Sequence, residues 1–167
     1  TEPERFGEVI IKEETIPVFF EGQVIAVISR HRNVEQMRTA GKLELNYREI
    51  ANHLYQMVAE GNFPYKDAGS LFEPVPRVGD GLIRLDVNGA ISFASPNAKS
   101  AFSRMGWRGD LEGRNLGEAA EQVVTVSPNA HEEGVRSRLN GKVLQRVEID
   151  NQGATIDLLV LPLIQGN

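Results

Sequence analysis

The chain has 167 residues, 41% hydrophobic and 25% charged, which is room for one ordinary domain or a small domain with appendages. Its formal net charge is −5 and its basic residues are scattered among acids, so it lacks the basic stripe that nucleic-acid binding requires. It has no cysteine, which removes disulfides, thiolate metal sites and thiol catalysis together.

No apolar run approaches the ~20 residues that span a bilayer, and no basic-then-apolar leader opens the chain. With the missing cysteine, this gives the expectation of a cytoplasmic protein that contacts neither membrane nor nucleic acid.

The first segment reads as extended. Val9, Ile10 and Ile11 form a short apolar run, and Ile16-Pro17-Val18-Phe19-Phe20 is β-branched and aromatic, with Pro17 pointing to a sheet edge or a strand start. Glu21-Gly22 is a turn. After it, Val24, Ala26 and Ile28 face one way and Ile25 and Val27 the other. A hairpin over 16–30 is predicted, with its second strand buried on both faces. Such a ribbon needs a covering layer, because isolated strands are marginal in water.

From about Val34 to Glu60 the period changes. Leu43, Tyr47, Ile50, Leu54 and Met57 are spaced 4, 3, 4, 3, which is a heptad seam with Glu44, Arg48 and Glu49 on other faces. Two roles remain open for it: an amphipathic helix packed on its own chain, or a dimerising and relaying helix. Gly61 and Pro64 end the helix, and residues 61–80, with three Pro and three Gly, read as a linker.

Ile83 and Leu85 alternate with Arg84 and Asp86, Asn88-Gly89 supplies a tight turn, and Ile91 and Phe93 resume the inward face. Ser95 is a natural N-cap and Pro96 a natural first helical residue. Ala98, Phe102 and Met105 then share a face, and Gly106 stops the helix. In 111–123, Leu111, Leu116, Ala120 and Val123 fall at helical intervals, while Gly113 and Gly117 predict turns between them. Residues 131–142 read as a helix with acids first and bases last, as the helix dipole prefers. Residues 142–150, with Val143, Val147 and Ile149 on one face, and 154–164 read as a closing hairpin. The predicted core is Ile83, Leu85, Ile91, Phe93, Phe102, Met105, Val143, Val147, Ile149, Ile156 and Leu158.

Few residues invite a chemical role. His31, His53 and His131 lie far apart with no cysteine near them, so no zinc cluster is expected. Asp86 and Glu148, outward on strands, read as sheet-surface carboxylates. Gly79-Asp80-Gly81 is a turn, since no Lys-Ser/Thr follows as in a phosphate loop. No general base, nucleophile and orienting partner assemble from this sequence, so a small enzyme is the weaker reading.

Three segments, "DGLIRLDVNGAISFASPNA", "LEGRNL" and "VEIDNQGATIDLLVLPL", give 78–164 a resemblance to a PAS sensor domain. "IPVFFEGQVIAVISRH" and the helix after it are similar to the last strands and exit helix of a GAF domain. Together they resemble the GAF–PAS sensory region of actinobacterial two-component sensor histidine kinases of the PdtaS type. The resemblance implies an α+β fold: an antiparallel PAS-like sheet with helices on one face, preceded by GAF-like terminal strands and a long linking helix. It divides the chain into partial GAF-like strands (1–33), a connecting helix (34–60), a linker (61–77) and a PAS-like domain (78–167).

The last strand of a PAS fold, which sits centrally in the sheet, is not found within 78–167. Either the sequence stops short of that strand, or another segment, the N-terminal hairpin or a partner chain, fills its slot. The implied function is detection of a ligand or partner, relayed through helices to a kinase core that this chain does not contain. The implied partners are a second copy in a homodimer, that kinase core and a response regulator. A ligand-free PAS dimerisation or interaction module is the alternative.

Any ligand would sit among Ile83, Leu85, Ile91, Phe93, Phe102, Met105, Val147, Ile156 and Leu158. The relay helix would use Leu43, Tyr47, Ile50, Leu54 and Met57. No cofactor is assigned. Some haem-binding PAS domains take an axial ligand from the helix that His131 opens, but Glu132 and Glu133 beside it point to a solvated helix start. Flavin photochemistry of the light-sensing PAS kind needs a cysteine. His53 lies on a helix, as a phosphoacceptor does, but Leu54 and Tyr55 stand where the family's acidic residue and arginine would follow.

Overall fold

The computed structural model describes all residues except 1–2, 35–38, 64–68, 74, 78, 125–133, 152 and 164–167. The chain forms two compact units, one built on residues 1–67 and the other on 68–162.

In the first unit, β1 (Glu4–Phe6), β2 (Val9–Phe20) and β3 (Gln23–Asn33) form an antiparallel sheet in the order β1-β2-β3. The hairpin turns at Glu21-Gly22, and both residues take positive φ (48° and 77°), as a two-residue turn matched to strand twist requires. The hairpin is longer than the predicted 16–30 because the alternation of Thr15, Glu13 and Ile11 with their neighbours continues the ladder as far as Asn33. Pro17 pairs with Val27, while β1 reaches only Val9–Ile11. Among the described residues the other edge of β2 therefore has no ladder partner at Pro17, which is where a residue lacking an N–H is tolerated.

One expectation fails here. The strand predicted to be buried on both faces is exposed at Val24, Ile25 and Val27, with Ile25 63% accessible. Two-sided apolar patterning shows what a strand can bury, and burial also needs a layer on each side. The helix of this unit packs against β2, and nothing among the described residues covers these three side chains.

That helix, α1, spans Lys42–Ala59, shorter than the predicted 34–60. Gly41 precedes it in an extended conformation and offers no side chain to cap it, while residues 35–38 of the predicted range lie outside the described residues. Its end is well made: the Gly61 N–H donates to the Val58 carbonyl (3.1 Å) and the Asn62 N–H to the Met57 carbonyl (2.8 Å), the paired bonds of a Schellman motif.

The second unit begins with a single 3-10 turn, Gly69–Phe72, inside the stretch read as linker. β4 (Ile83–Leu85) and β5 (Ile91–Ala94) pair antiparallel. In the turn between them the Asp86 carboxylate accepts from the Asn88 and Ala90 N–H groups (2.8 and 2.9 Å), and only Gly89 takes positive φ. Asp86, read as a strand-surface carboxylate, is therefore the turn's organiser. α2 (Pro96–Arg104) follows the predicted cap, with the buried Ser95 hydroxyl accepting from the Leu82 N–H (2.9 Å) and the Ala98 N–H (3.4 Å).

α3 (Leu116–Val123) is capped by the Asn115 side chain and carries Gly117 inside it. The predicted turn at Gly117 is thus corrected. A Cβ there would lie 2.7 Å from the Cα of Arg136, so glycine is required for close helix contact and does not break the helix. That contact comes from α4 (Val135–Arg138), which is one turn long where 131–142 was predicted. Gly134 sits outside its start, Asn140-Gly141 turns away from its end, and residues 131–133 lie outside the described residues.

β6 (Gln145–Asn151) and β7 (Ala154–Val160) close the unit as an antiparallel hairpin. β6 starts three residues later than predicted, and Val143 is 60% exposed and outside the core. The turn at 140–143 uses backbone that a strand would need, with the Asn140 side chain accepting from the Lys142 N–H (2.9 Å).

Ile91, Ala94, Phe102, Met105, Leu111, Leu116, Leu139, Val147 and Ile149 share one buried cluster, and the sole tryptophan, Trp107, packs against it. Both ribbons of this unit thus contribute to one core. They remain two separate two-stranded sheets, and no ladder joins β4–β5 to β6–β7 among the described residues. Among the described residues β1, β2 and β3 pair only with one another. Residues 161–163 leave strand conformation, and Pro162 has no N–H to offer a ladder.

Candidate functional site

The proposed pocket residues gather in the second unit. Ile91, Phe102, Met105 and Val147 are buried within one cluster, and Ile83, Leu85, Ile156 and Leu158 are half-buried against it. Phe93 is also buried but stands outside that cluster. The side chains pack on one another, as a close-packed interior does. Around them, polar contacts fasten the loops. Lys99 on α2 pairs with Asp110 (3.1 Å) and Glu112 (3.3 Å), which raises the Lys99 pKa, first through the hydrogen bond to Asp110, and holds Asp110 below its usual range. The Asn151 amide donates to the Met105 carbonyl (2.7 Å), tying β6 to the end of α2.

The proposed relay residues run from exposed to buried along α1. Leu43 and Tyr47 are exposed, Ile50 and Leu54 are half-buried, and Met57 is fully buried. The same helix holds a cluster that the sequence reading missed. Arg30 on β3 donates through Nε (3.1 Å) and Nη2 to the Glu14 carboxylate directly across the ladder on β2. Its Nη1 donates to Asn52 Oδ1 on α1 (2.9 Å), and its guanidinium lies 5.8 Å from the Tyr55 ring centroid. Arg32 adds a third hydrogen bond to Glu14, on its other carboxylate oxygen. One arginine therefore ties both long strands to the helix by charge-assisted bonds and a cation–π contact. Its hydrogen bonds to Glu14 hold that carboxyl below the usual carboxylate range.

Beside this cluster a groove of about 500 Å³ runs between β2 and α1, lined by Ile16 and Phe19 on one side and Asn52, Gln56, Ala59 and Glu60 on the other. Its polar groups are partly committed: Asn52 accepts from Arg30, and Gln56 donates to Glu60 (2.9 Å).

The histidines stay apart. His31 faces Glu13 at an exposed site (Nε2–Oε1, 3.5 Å). His53 is half-buried on α1, with Nδ1 buried and without a hydrogen-bond partner among the described residues. His131, the candidate haem ligand, lies outside the described residues. Glu148 lies across the ladder from Asp157 on the outer face of the closing hairpin. Among the described residues there is no group of three or more His, Asp or Glu able to hold a metal ion, and no helix long and apolar enough to cross a membrane.

Residues 1–51 match the family described as "Histidine kinase PdtaS, GAF domain". Over 158 residues the chain is 46% identical to the sensor histidine kinase PdtaS of Mycobacterium tuberculosis, covering 90% of this chain and 31% of that protein. It is 40% identical to the sensor histidine kinase PdtaS of Mycolicibacterium smegmatis, covering 92% of this chain and again 31% of that protein. A solved structure described as the sensor region of a sensor histidine kinase superposes with a TM-score of 0.74 at 44% identity, covering 92% of this chain and 58% of that one. The chain spans under a third of the length of its curated relatives, and over nine-tenths of its own length it is similar to sensor histidine kinases of the PdtaS type and to a solved sensor region.

Proposed function

We propose that this chain is the sensory and relaying part of a cytoplasmic two-component histidine kinase, acting as a homodimer and passing its state to a kinase core and onward to a response regulator. In this reading residues 1–33 are the closing strands of a GAF-like domain and 34–60 the connecting region. Residues 61–77 are the linker, and 78–167 form a PAS-like domain without its last strand. Leu43, Tyr47, Ile50, Leu54 and Met57 form the relay seam, and the chain itself carries no catalysis. The observation that carries the reading is the likeness, over 92% of the chain and at 44% identity, to a solved sensor region.

The Arg30 cluster supplies a physical route, because a shift of β2 against β3 moves Glu14 relative to Arg30 and so bears on Asn52 and Tyr55 of α1. The dense packing of Ile91, Phe102, Met105 and Val147 favours a second reading for 78–167, as a dimerisation or interaction module without a ligand.

The test is a chimera in which this chain replaces the matching region of the Mycolicibacterium smegmatis relative. The chimera is expected to incorporate phosphate from ATP, and the isolated chain to incorporate none. Arg30→Ala is expected to change the chimera's rate several-fold. Phosphate uptake by the isolated chain, or a chimera indifferent to Arg30→Ala, would overturn the reading.

A further inference from the structure

Within the second unit, the chain before β4 is tied to the β6–β7 hairpin by one side chain. Arg146 stands on the outer face of β6, where its Nε donates to both carboxylate oxygens of Asp157 on β7 (2.8 and 2.7 Å) and its Nη2 donates to the same group. This grip fixes the plane of the guanidinium and leaves Nη1 directed away from the hairpin. Nη1 donates to the carbonyls of Leu71 (3.1 Å) and Glu73, in and just past the 3-10 turn. Carbonyls at a helix end lack partners within the helix, and a cation is the favoured one. A second tie lies further along, where the Asn97 amide on α2 donates to the Gly79 carbonyl (2.8 Å). Between the two ties Arg77 is exposed.

We infer that the described residues of 69–79 form a strap, closed onto the β6–β7 hairpin by Arg146 and released when the hairpin changes shape, so that the hairpin's state is passed to the chain leading from α1. The fork of arginine is what allows this. Asp157 occupies one edge of the guanidinium and the strap carbonyls take the remaining nitrogen. Asp157 is diagonal to Arg146 across the ladder, with Arg146 opposite Leu159 and Asp157 opposite Glu148, so a small change in twist between β6 and β7 alters the grip and with it the direction of Nη1. The strap's signalling role rests on the sensory reading above, whereas its attachment through Arg146 does not.

The test uses the full chain and three variants: Arg146→Gln, Arg146→Lys and Asp157→Asn. Trypsin cleavage after Arg77 and amide exchange over 69–77 report strap opening, and exchange over 91–105 and 147–150 reports the core. In Arg146→Gln the cleavage rate is expected to rise about tenfold or more with core exchange unchanged, since cleavage tracks the open population. Arg146→Lys, which keeps the charge but loses the fork, is expected to behave like Arg146→Gln, and Asp157→Asn to fall between it and the parent. Unchanged cleavage in Arg146→Gln overturns the strap. If that variant loses its hairpin, seen as fast exchange at 147–150, Asp157→Asn decides in the same way.

The second arm places Arg146→Gln in the kinase chimera, where an altered phosphorylation rate is expected. A strap that opens without altering that rate removes its relay role and leaves the sensory reading standing. A chimera inactive even with the parent sequence removes the sensory reading, and exchange still decides the strap.

Discussion

In the first unit the ionisation of Glu14 is coupled to two arginines. Arg30 and Arg32 hold its carboxyl below the usual range. A carboxyl with a lowered folded-state pKa contributes stability above its unfolded value, about 4.3, and loses that contribution as pH falls through its folded value. Stability of the 1–67 unit is therefore expected to drop as pH falls below about 4.3, and Glu14→Gln to flatten that drop while lowering stability at neutral pH. Unfolding midpoints by circular dichroism between about pH 3 and 7 check this, and identical slopes in both proteins would count against it.

The sequence disclosed some of these residues and hid others for a definite reason. Ser95 was legible because a capping serine followed by proline acts locally. The Glu14–Arg30 pair was not. A ladder counted back from the Glu21-Gly22 turn sets Glu14 opposite Ser29, but a bulge at Val18/Phe19 shifts the register by one and brings Arg30 across. Arg146 and its strap, separated by more than 70 residues, left no local sign at all.

Among the elements, α3 and α4 show how a glycine can be misread. Spacing alone placed Gly117 at a turn, because glycine weakens helices. Its reason lies in another element: Arg136 comes so near that a methyl group has no space. Gly117→Ala is expected to destabilise the 68–162 unit by about 1–3 kcal/mol despite its better helix propensity, the usual cost of overpacking. Urea unfolding measures this, and a stabilised variant would show that α4 yields freely. The hairpins and α2 were legible from alternation and caps. The reach of α4 and the start of β6 were not, since the turn at 140–143 is made by the Asn140 side chain bonding to its own backbone.

For the molecule as a whole, the pattern named the interior of the second unit and overstated that of the first. Phe102, almost wholly enclosed, and Val27, more than half exposed, are both large and apolar on paper. Phe102→Ala is expected to cost about 3–5 kcal/mol. Val27→Thr is expected to change stability by less than about 0.5 kcal/mol. A loss above about 2 kcal/mol for Val27→Thr would mean that the open face of β3 is covered in solution. Burial depends on which layers the chain brings together, and periodicity cannot report a layer that is missing.

The lone tryptophan offers a practical consequence. The Trp107 indole leans on the second unit's core, with its Nε1 buried and without an acceptor among the described residues. Its fluorescence should therefore report the melting of residues 68–162, while the strands at 4–33, which contain no tryptophan, add nothing to that signal. Intrinsic emission followed beside far-ultraviolet ellipticity thus separates the two bodies of one chain without any label.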